Sequence, residues 1–155
     1  RFSTVTGVQT CALPIYMKIN SELEMMRLGE NMGKALKPPQ VIELRGDVGT
    51  GKTTFVQGLA KGLKVRELVT SPSFTISKTY VFPGGKLVHY DFYRLMEPGV
   101  MAEDLLEVMK DERAIVVVEW AETVKNLLPK NRLKLKFSYQ DDGSRKVEEV
   151  NNEKD

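Results

Sequence analysis

The stretch that most constrains this chain runs from Gly46 to Thr54 and reads GDVGTGKTT. Its first eight residues fit the pattern G-x-x-x-x-G-K-T, which is typical of a P-loop. Glycine lacks a Cβ, so the backbone can turn tightly there and approach phosphate oxygens closely. The N–H groups of such a loop, together with the positive end of a following helix, bind anions. The stretch therefore predicts a phosphate-binding loop.

The nucleotide-binding prediction covers nine consecutive residues, which are Gly46, Asp47, Val48, Gly49, Thr50, Gly51, Lys52, Thr53 and Thr54. We expect Lys52 to reach the β- and γ-phosphates and the Thr53 hydroxyl to hold Mg²⁺. Residues 41–45 before the loop are largely apolar and predict a strand. Residues 53–63 after it carry apolar side chains at helical spacing. A strand, a loop and a helix in this order are the context in which the pattern predicts a site.

Two acidic residues stand at the ends of predicted strands. Residues 114–120 predict a strand in which a continuous apolar run is followed directly by Glu119, and such a run is typical of a parallel strand buried on both faces. An acid at its end predicts a carboxylate that supports Mg²⁺. Asp91 ends another predicted strand, at the sheet edge where a nucleotide would lie. We therefore predict Glu119 as a metal ligand and Asp91, with Lys52, as catalytic.

Hydroxyl and aromatic side chains form a second group of candidates. Thr70, Ser71 and Ser73 surround Pro72 in a segment that could contact a γ-phosphate as switch segments do, or be a plain turn. A lone histidine is most often structural, so His89 is at most a supporting residue. Four residues are possible supporting residues, namely His89, Tyr93, Arg94 and Trp120.

The remaining elements predict one α/β domain, with a mainly parallel central sheet flanked by helices and antiparallel strands at the edge. A helix is expected from Asn20 to Pro38, with an apolar stripe at Leu23, Met26, Leu28, Met32 and Leu36. Residues 76–82 and 87–91 predict a hairpin. Residues 103–111 predict a helix with Leu105, Leu106 and Met109 inward.

The strictly alternating run from Arg132 to Phe137 predicts a strand whose leucines and phenylalanine face the core. Its other face carries Arg132, Lys134 and Lys136. A basic strand face of this kind is either solvated surface or a contact for RNA, and the sequence favours the solvated surface. A final strand is expected over residues 145–150.

The length of 155 residues suits one domain, and the net charge of +2 is close to neutral. Residues 1–16 contain no acid and no methionine, and residues 5–15 resemble a translated sequencing adapter. We therefore predict a non-native extension at 1–16, the domain at 17–150 and a frayed tail at 151–155. Excluding 1–16 removes Arg1 and no acid, so the net charge becomes +1. It also removes Cys11, the single cysteine, which fits a reducing cytoplasm.

Four motifs in series, GDVGTGKTTF, VTSPSF, HYDFYR and VVVEWAE, resemble those of the bacterial TsaE family, formerly YjeE. The resemblance covers about Asn20 to Val150. It implies a small ATPase that binds ATP and Mg²⁺ and acts with TsaD-like and TsaB-like proteins. That machinery forms N6-threonylcarbamoyladenosine beside the anticodon of tRNA. The implied role is a nucleotide-driven switch that meets tRNA only indirectly, through the complex, in the cytoplasm, with no membrane and no DNA partner.

The resemblance also assigns residues. Thr53 and Glu119 match the family's Mg²⁺ ligands, and Asp91 matches the acid of an H-x-D-x-Y-R motif. Ser73 replaces the usual threonine of the switch-like segment but keeps a hydroxyl. Ala121 stands where proline often follows the E-W pair. Met25 stands where the family commonly has threonine, which puts the contact with the base in question.

Three alternatives remain open. A small-molecule P-loop kinase would need an acceptor site and usually an arginine-bearing lid, whereas residues 97–113 are rich in acids and hold one arginine, at their end. A GTPase would need an N-K-x-D segment, which the sequence does not contain. A module that binds ATP without significant turnover is the third.

Overall fold

A computed structural model describes residues 16–93 and 95–151 of the chain. In this part of the chain the strands are β1 (Tyr16–Ile19), β2 (Gln40–Arg45), β3 (Ser77–Phe82), β4 (Gly85–Asp91), β5 (Ala114–Glu119), β6 (Leu133–Tyr139) and β7 (Arg145–Glu149). The helices are α1 (Glu22–Ala35), α2 (Lys52–Gly62) and α3 (Gly99–Met109). Two 3-10 turns, Ala121–Thr123 and Lys125–Leu127, connect β5 to β6.

The strands form one sheet in the order β1-β7-β6-β2-β5-β4-β3. Strands β6, β2, β5 and β4 are parallel to one another, whereas β7 and β1 on one side and β3 on the other pair antiparallel. The predicted fold class is therefore confirmed. Because the carboxyl ends of parallel strands lie at one edge, the segments that follow β2, β4 and β5 meet there.

The core has two layers, one on each face of the sheet, and β5 is therefore buried on both faces. Ile115 and Val117 face α1 and α2, and Val116 and Val118 face α3. All six residues of β5 are buried, as the continuous apolar run predicts. The strand that ends in Glu119 is thus fixed from both sides, which is a suitable base for a rigid site.

Helices α1 and α2 pack at very short distance through small residues. Gly29 and Gly33 of α1 face Gly58 and Gly62 of α2. A Cβ built on Gly58 would overlap the carbonyl oxygen of Met26, and one on Gly29 would overlap that of Phe55. The helix that starts at the predicted phosphate loop is therefore held directly against α1.

The inward faces of two helices differ from the prediction. In α1 the buried side chains are Met25, Leu28 and Met32, followed by Leu36 after the helix, and Leu23 is 58% exposed. The inward stripe starts at Met25 because residues three and seven positions later share its face. In α3 only Leu105 is fully buried, and Leu106, one position further around the helix, is 38% exposed.

Strand β6 confirms the inward positions of Leu133, Leu135 and Phe137, but the solvated face predicted for Arg132 and Lys134 is wrong. Both are buried, whereas Lys136 is exposed. The buried Glu43 carboxylate of β2 accepts a hydrogen bond from Arg132 Nε at 2.9 Å and another from Arg45. Charged groups are buried when they find such partners.

The predicted division of the chain places one boundary near each end, after residue 16 and after residue 150. Residues 1–15 and 152–155 lie outside the described residues, and Tyr16 begins β1. The division into 1–16, 17–150 and 151–155 stays a prediction. Among the described residues, no helix has both the length and the apolar character that a membrane crossing needs.

Candidate functional site

The loop between β2 and α2 turns at three glycines. Gly46, Gly49 and Gly51 have φ angles of 144°, 83° and 102°, in the left-handed region that favours glycine. Space is also limited, because a Cβ on Gly46 would lie 2.5 Å from the carbonyl oxygen of Phe137. Thr50 Oγ1 donates to the carbonyl of Asp47 at 2.7 Å and closes the turn. The loop has the tight form expected of a phosphate-binding loop and leads directly into α2.

Lys52, the first residue of α2, points back into this loop. Its Nζ donates to the carbonyl of Gly46 and, at 3.0 Å, to that of Asp47. The side chain is 6% exposed. Burial lowers the pKa of Lys52, and the nearby carboxylates of Glu119 and Asp91 oppose that shift. A buried ammonium group in this position favours an anion beside it.

Asp91 and Glu119 lie side by side at the ends of β4 and β5. The two residues are register partners across the parallel ladder, and both are buried, at 8% and 3% exposure. Asp91 Oδ1 accepts a hydrogen bond from the Tyr93 amide at 2.9 Å. Burial raises the pKa of Asp91 most, the Tyr93 amide lowers it, and Glu119 adds to the increase. Two acids from adjacent strands therefore meet at the edge where the loop emerges.

His89 lies behind Glu119 rather than in the cavity. Its side chain is fully buried, and Nε2 lies 2.7 Å from Glu119 Oε2. Its Nδ1 has no hydrogen-bond partner among residues 16–93 and 95–151. His89 is thus placed to fix the orientation of the Glu119 carboxylate, and its supporting role stays a prediction.

Two aromatic rings close one side of the site. The ring centroids of Tyr93 and Trp120 are 4.7 Å apart, and Lys52 Nζ lies 4.9 Å from the centroid of Trp120. Trp120 has a left-handed backbone, with φ 55° and ψ 53°, which is uncommon for a residue other than glycine. Arg94, the fourth possible supporting residue, lies outside the described residues.

The predicted switch-like segment borders the site through two of its three residues. Ser71 and Ser73 line the cavity, and their Oγ atoms are 2.7 Å apart. Thr70 does not line it; its hydroxyl accepts a hydrogen bond from Lys78, and its N–H donates to the Tyr80 hydroxyl at 3.3 Å. Phe74 is fully exposed. Pro72 at the centre of the segment is buried and its carbonyl accepts hydrogen bonds from the amides of Thr75 and Ile76, whereas Ser71, Ser73 and Phe74 are exposed.

A cavity of about 370 Å³ brings most of the predicted residues together. The predicted residues on its wall are Val48, Gly49, Gly51, Lys52, Thr53, Thr54, Ser71, Ser73, Asp91, Tyr93, Glu119 and Trp120. Gly46, Asp47 and Thr50 shape the loop without lining the cavity. The phosphate-binding loop, both acids and the hydroxyl-bearing segment thus share one space.

Three further residues line the cavity that the sequence did not assign to the site. Glu22 and Met25 reach it from the start of α1, and Arg145 reaches it from β7. Met25 was marked only through the family resemblance. Arg145 lies 96 residues from Gly49 in the chain, and the register of β7 against β6 places it there. No local sequence pattern could have found it.

The residues of the site suit phosphate and Mg²⁺. The tight glycine-containing loop and the Lys52 ammonium group have the chemistry that suits a phosphate group. Mg²⁺ is usually held by one or two carboxylates together with waters and substrate phosphates, and Thr53 and Glu119 on the cavity wall fit that description. In the described part of the chain, no group of three or more His, Cys, Asp or Glu side chains could hold a metal. A Mg²⁺ ion shared with a nucleotide does not require one.

A parallel α/β sheet that carries this loop after its central strand β2, and an acid at the end of each of the next two strands, β5 and β4, defines a P-loop nucleotide-binding domain. The sequence model of the family described as threonylcarbamoyl adenosine biosynthesis protein TsaE matches residues 19–147. The chain belongs to the TsaE family.

Individual relatives agree with this assignment. A Nostoc sp. protein named tRNA threonylcarbamoyladenosine biosynthesis protein TsaE is 38% identical over 79% of this chain and 77% of the relative. The protein of the same name from Aquifex aeolicus is 42% identical over 67% of this chain and 74% of the relative. The crystal structure of Bacillus subtilis YdiB superimposes with a TM-score of 0.72, at 29% identity, and covers 88% of this chain and 84% of that one.

Proposed function

We propose that this chain is the ATP-binding and ATP-hydrolysing component of the machinery that forms N6-threonylcarbamoyladenosine in tRNA. The observation that carries the proposal is the convergence of Lys52, Thr53, Asp91 and Glu119 on one cavity. The names of the relatives support the pathway, since they are tRNA threonylcarbamoyladenosine biosynthesis proteins. This pathway acts on tRNA, so we place the protein in the cytoplasm.

Phosphate binding is assigned to the loop and to Lys52. Backbone N–H groups at the start of α2 and the Lys52 ammonium group favour negative charge. Thr53 and Glu119 would hold Mg²⁺, which neutralises charge on the phosphate oxygens. His89, 2.7 Å from Glu119, would keep that carboxylate in a fixed orientation.

Asp91 is assigned the role of orienting the attacking water and taking its proton. A general base works best when its pKa approaches the working pH. Burial raises the pKa of Asp91 in that direction, and the hydrogen bond from the Tyr93 amide at 2.9 Å fixes the carboxylate. The rings of Tyr93 and Trp120, 4.7 Å apart, form the cavity wall next to this carboxylate.

The proposed output of hydrolysis is a change in the segment from Thr70 to Phe74. Ser71 and Ser73 line the cavity, so their hydroxyls can respond to a γ-phosphate, as switch segments do. The proposed partners are TsaD-like and TsaB-like proteins, and tRNA is met indirectly through that complex.

Genetic replacement in the host tests the function. Cells depleted of this protein should lose N6-threonylcarbamoyladenosine from bulk tRNA, measured by mass spectrometry of nucleosides. Wild-type protein should restore the modification, whereas Lys52→Ala should not, although it remains folded. As a control, Arg113→Ala, at the opposite edge of the sheet before β5, should restore it fully. Normal modification after complete depletion would refute the proposal.

Hydrolysis needs its own measurement. Purified protein with TsaD-like and TsaB-like partners should release phosphate from ATP when Mg²⁺ is present, and a chelator should stop the release. If ATP binds but phosphate is never released with partners present, the chain is a binding module without turnover. Phosphorylation of a small-molecule acceptor would instead favour the kinase alternative.

A further inference from the structure

Ile76 closes a short turn at the end of the proposed switch segment. The carbonyl of Pro72 accepts hydrogen bonds from the amides of Thr75, at 3.0 Å, and of Ile76, at 2.7 Å. Ile76 has a φ angle of 68°, and a left-handed residue of this kind often ends a helical turn. Glycine is the usual residue there because it has no Cβ, whereas a β-branched side chain is rarely found with such a φ angle. The backbone is therefore strained at Ile76.

The carbonyl of the same residue is bonded to the proposed catalytic acid. Just before β3 begins, the Ile76 carbonyl accepts a hydrogen bond from the Asp91 amide at 2.8 Å. One residue further along, the Phe92 amide donates to the Glu119 carbonyl at 3.1 Å. The backbone around Asp91 is thus fixed by one bond to the end of the switch segment and by another to β5. A change in the Ile76 backbone angles would reorient its carbonyl and release the Asp91 amide.

Packing of the Ile76 side chain offsets this strain. The side chain is half-buried and packs against the hydrophobic cluster on the α3 side of the sheet. Tyr90 and Phe92, the two neighbours of Asp91 in the chain, belong to that cluster. Strained residues persist where the surrounding structure holds them, and they are frequent in active sites and switch regions. The conformation of Ile76 thus depends on the turn on one side and on the surroundings of Asp91 on the other.

We propose that Ile76 is a positioning residue that links the switch segment to Asp91, so that the conformation of the segment sets the rate of hydrolysis. In the left-handed conformation the Ile76 carbonyl holds the Asp91 amide and keeps the carboxylate at the cavity. When the segment changes position, the strained φ angle of Ile76 relaxes and this hydrogen bond is lost. A partner protein that contacts residues 70–74 thereby controls hydrolysis. The inference rests on the proposed function, because it takes Asp91 to orient the attacking water.

Substitutions by alanine and by glycine separate the role of the backbone from that of the side chain. Both remove the packing of Ile76, but only glycine adopts a positive φ angle without a steric cost. Ile76→Ala should therefore hydrolyse bound Mg–ATP more slowly than Ile76→Gly, by about 5- to 30-fold, the equilibrium ratio that corresponds to the cost of a left-handed alanine. The Mg–ATP affinities of the two variants should differ by less than about twofold, because Ile76 does not line the cavity. Single-turnover hydrolysis with the partner proteins and equilibrium binding measure the two effects.

The exchange of a single amide tests the link directly. The Asp91 amide, which donates to the Ile76 carbonyl, should exchange with solvent faster in Ile76→Ala than in Ile76→Gly, measured by NMR. The Phe92 amide, which donates to the Glu119 carbonyl, should exchange equally in both variants and serves as the internal reference. A general loosening of the fold would change both amides together.

Lys64 offers a matched control for the backbone change. It has a φ angle of 69° and lies exposed after α2. Lys64→Gly should have a higher Tm than Lys64→Ala, but the two should hydrolyse Mg–ATP at equal rates. Val108→Ala, which removes packing from the same hydrophobic cluster, should lower the Tm and leave turnover unchanged. Ile76→Val keeps the branched Cβ with one methyl group fewer, so it should also be slower than Ile76→Gly, and it replaces Ile76→Ala in the comparison if that variant does not fold.

Two outcomes would overturn the inference and leave the proposed function intact. One is equal turnover in Ile76→Ala and Ile76→Gly when both are folded and bind Mg–ATP, which would make Ile76 a packing residue only. The other is a loss of Mg–ATP affinity that accounts for the whole loss of turnover. A wild-type protein that binds Mg–ATP but never hydrolyses it with its partners present would instead overturn the proposed function, and the inference with it.

Discussion

At the scale of single residues, Asp91 and Glu119 are neighbours with different surroundings. Asp91 is fixed by a backbone amide and Glu119 by His89. If Asp91 takes the proton from water, Asp91→Asn should lower turnover by about 10²- to 10⁴-fold and spare Mg–ATP binding, since the amide keeps its size and its acceptor oxygen. Single-turnover hydrolysis and equilibrium binding on the same samples measure the two effects.

Glu119→Gln should behave differently, because an amide is a weaker ligand for Mg²⁺ than a carboxylate. We expect the Mg²⁺ concentration needed for half-maximal hydrolysis to rise, with much of the turnover recovered at high Mg²⁺. A Mg²⁺ titration of wild type and variant measures this shift. If Asp91→Asn loses Mg–ATP binding as severely as Glu119→Gln, the two roles have been divided wrongly.

The pKa of Asp91 leads to a prediction for stability. Burial raises that pKa above its ordinary value of 3.8, so the folded protein holds the proton more tightly than the unfolded chain. Ionised Asp91 therefore destabilises the ligand-free protein above its folded pKa, and this cost disappears as the pH falls towards 3.8. Asp91→Asn should accordingly have the higher Tm near neutral pH.

Melting curves without Mg²⁺ or nucleotide, from about pH 7 to about pH 4, test this sign. The difference in Tm between Asp91→Asn and wild type should narrow as the pH falls. Asp141→Asn, an exposed acid in the β6–β7 turn, serves as the control for removing one negative charge. A difference that stays constant or grows towards acid would contradict the expected sign.

How much of the site the sequence could predict depends on where each residue lies in the chain. The loop residues are contiguous, and Asp91 and Glu119 end strands, so local patterns found them. Arg145 reaches the cavity only because β7 pairs with β6 and Tyr139 is its register partner. That contact depends on antiparallel pairing at the sheet edge, which residue spacing does not encode.

At the scale of elements, the contact between α1 and α2 is the most sensitive to substitution. Gly58→Ala should gain about 0.8–1 kcal/mol of helix propensity. It should lose more, because the new Cβ overlaps the Met26 carbonyl, and overpacking costs about 1–3 kcal/mol or more. We expect a net loss of stability, seen as a Tm lower by several degrees. Lys61→Ala, on the exposed side of the same helix, is the matched control and should change little. An increase in Tm for Gly58→Ala would contradict this packing.

Strands with a clear hydrophobic pattern of their own could be predicted, whereas those that depend on pairing with a distant strand could not. The continuous apolar run predicted β5, and the alternating run predicted β6. Strand β1 was missed, because four residues carry too little pattern and its partner, β7, lies far along the chain. The buried Arg132 was also misjudged, since a sequence does not reveal that Glu43 of a neighbouring strand is 2.9 Å away.

At the scale of the whole molecule, the cavity and the segment from Thr70 to Phe74 lie side by side and could both contact a partner protein. The cavity whose chemistry suits a nucleotide has Ser71 and Ser73 on its wall. The same segment carries Phe74, whose aromatic ring is fully exposed to solvent. A partner protein that contacts the proposed switch segment would meet this ring at the surface.

The last prediction concerns this segment and the γ-phosphate. If Ser71 and Ser73 respond to it, a non-hydrolysable Mg–ATP analogue should slow hydrogen exchange at residues 70–74, whereas Mg–ADP should not. The physical reason is that Ser71 and Ser73 are exposed at the cavity, and their hydroxyls would gain a further partner only when a third phosphate is present. Exchange in β5, buried on both faces, should stay the same with either ligand.

Lys52→Ala should abolish the slowing of exchange at residues 70–74, because it removes phosphate binding. Equal protection by the triphosphate analogue and the diphosphate would show that the segment does not sense the γ-phosphate, and the proposed hydrolysis would then need another route to the proposed TsaD-like and TsaB-like partners.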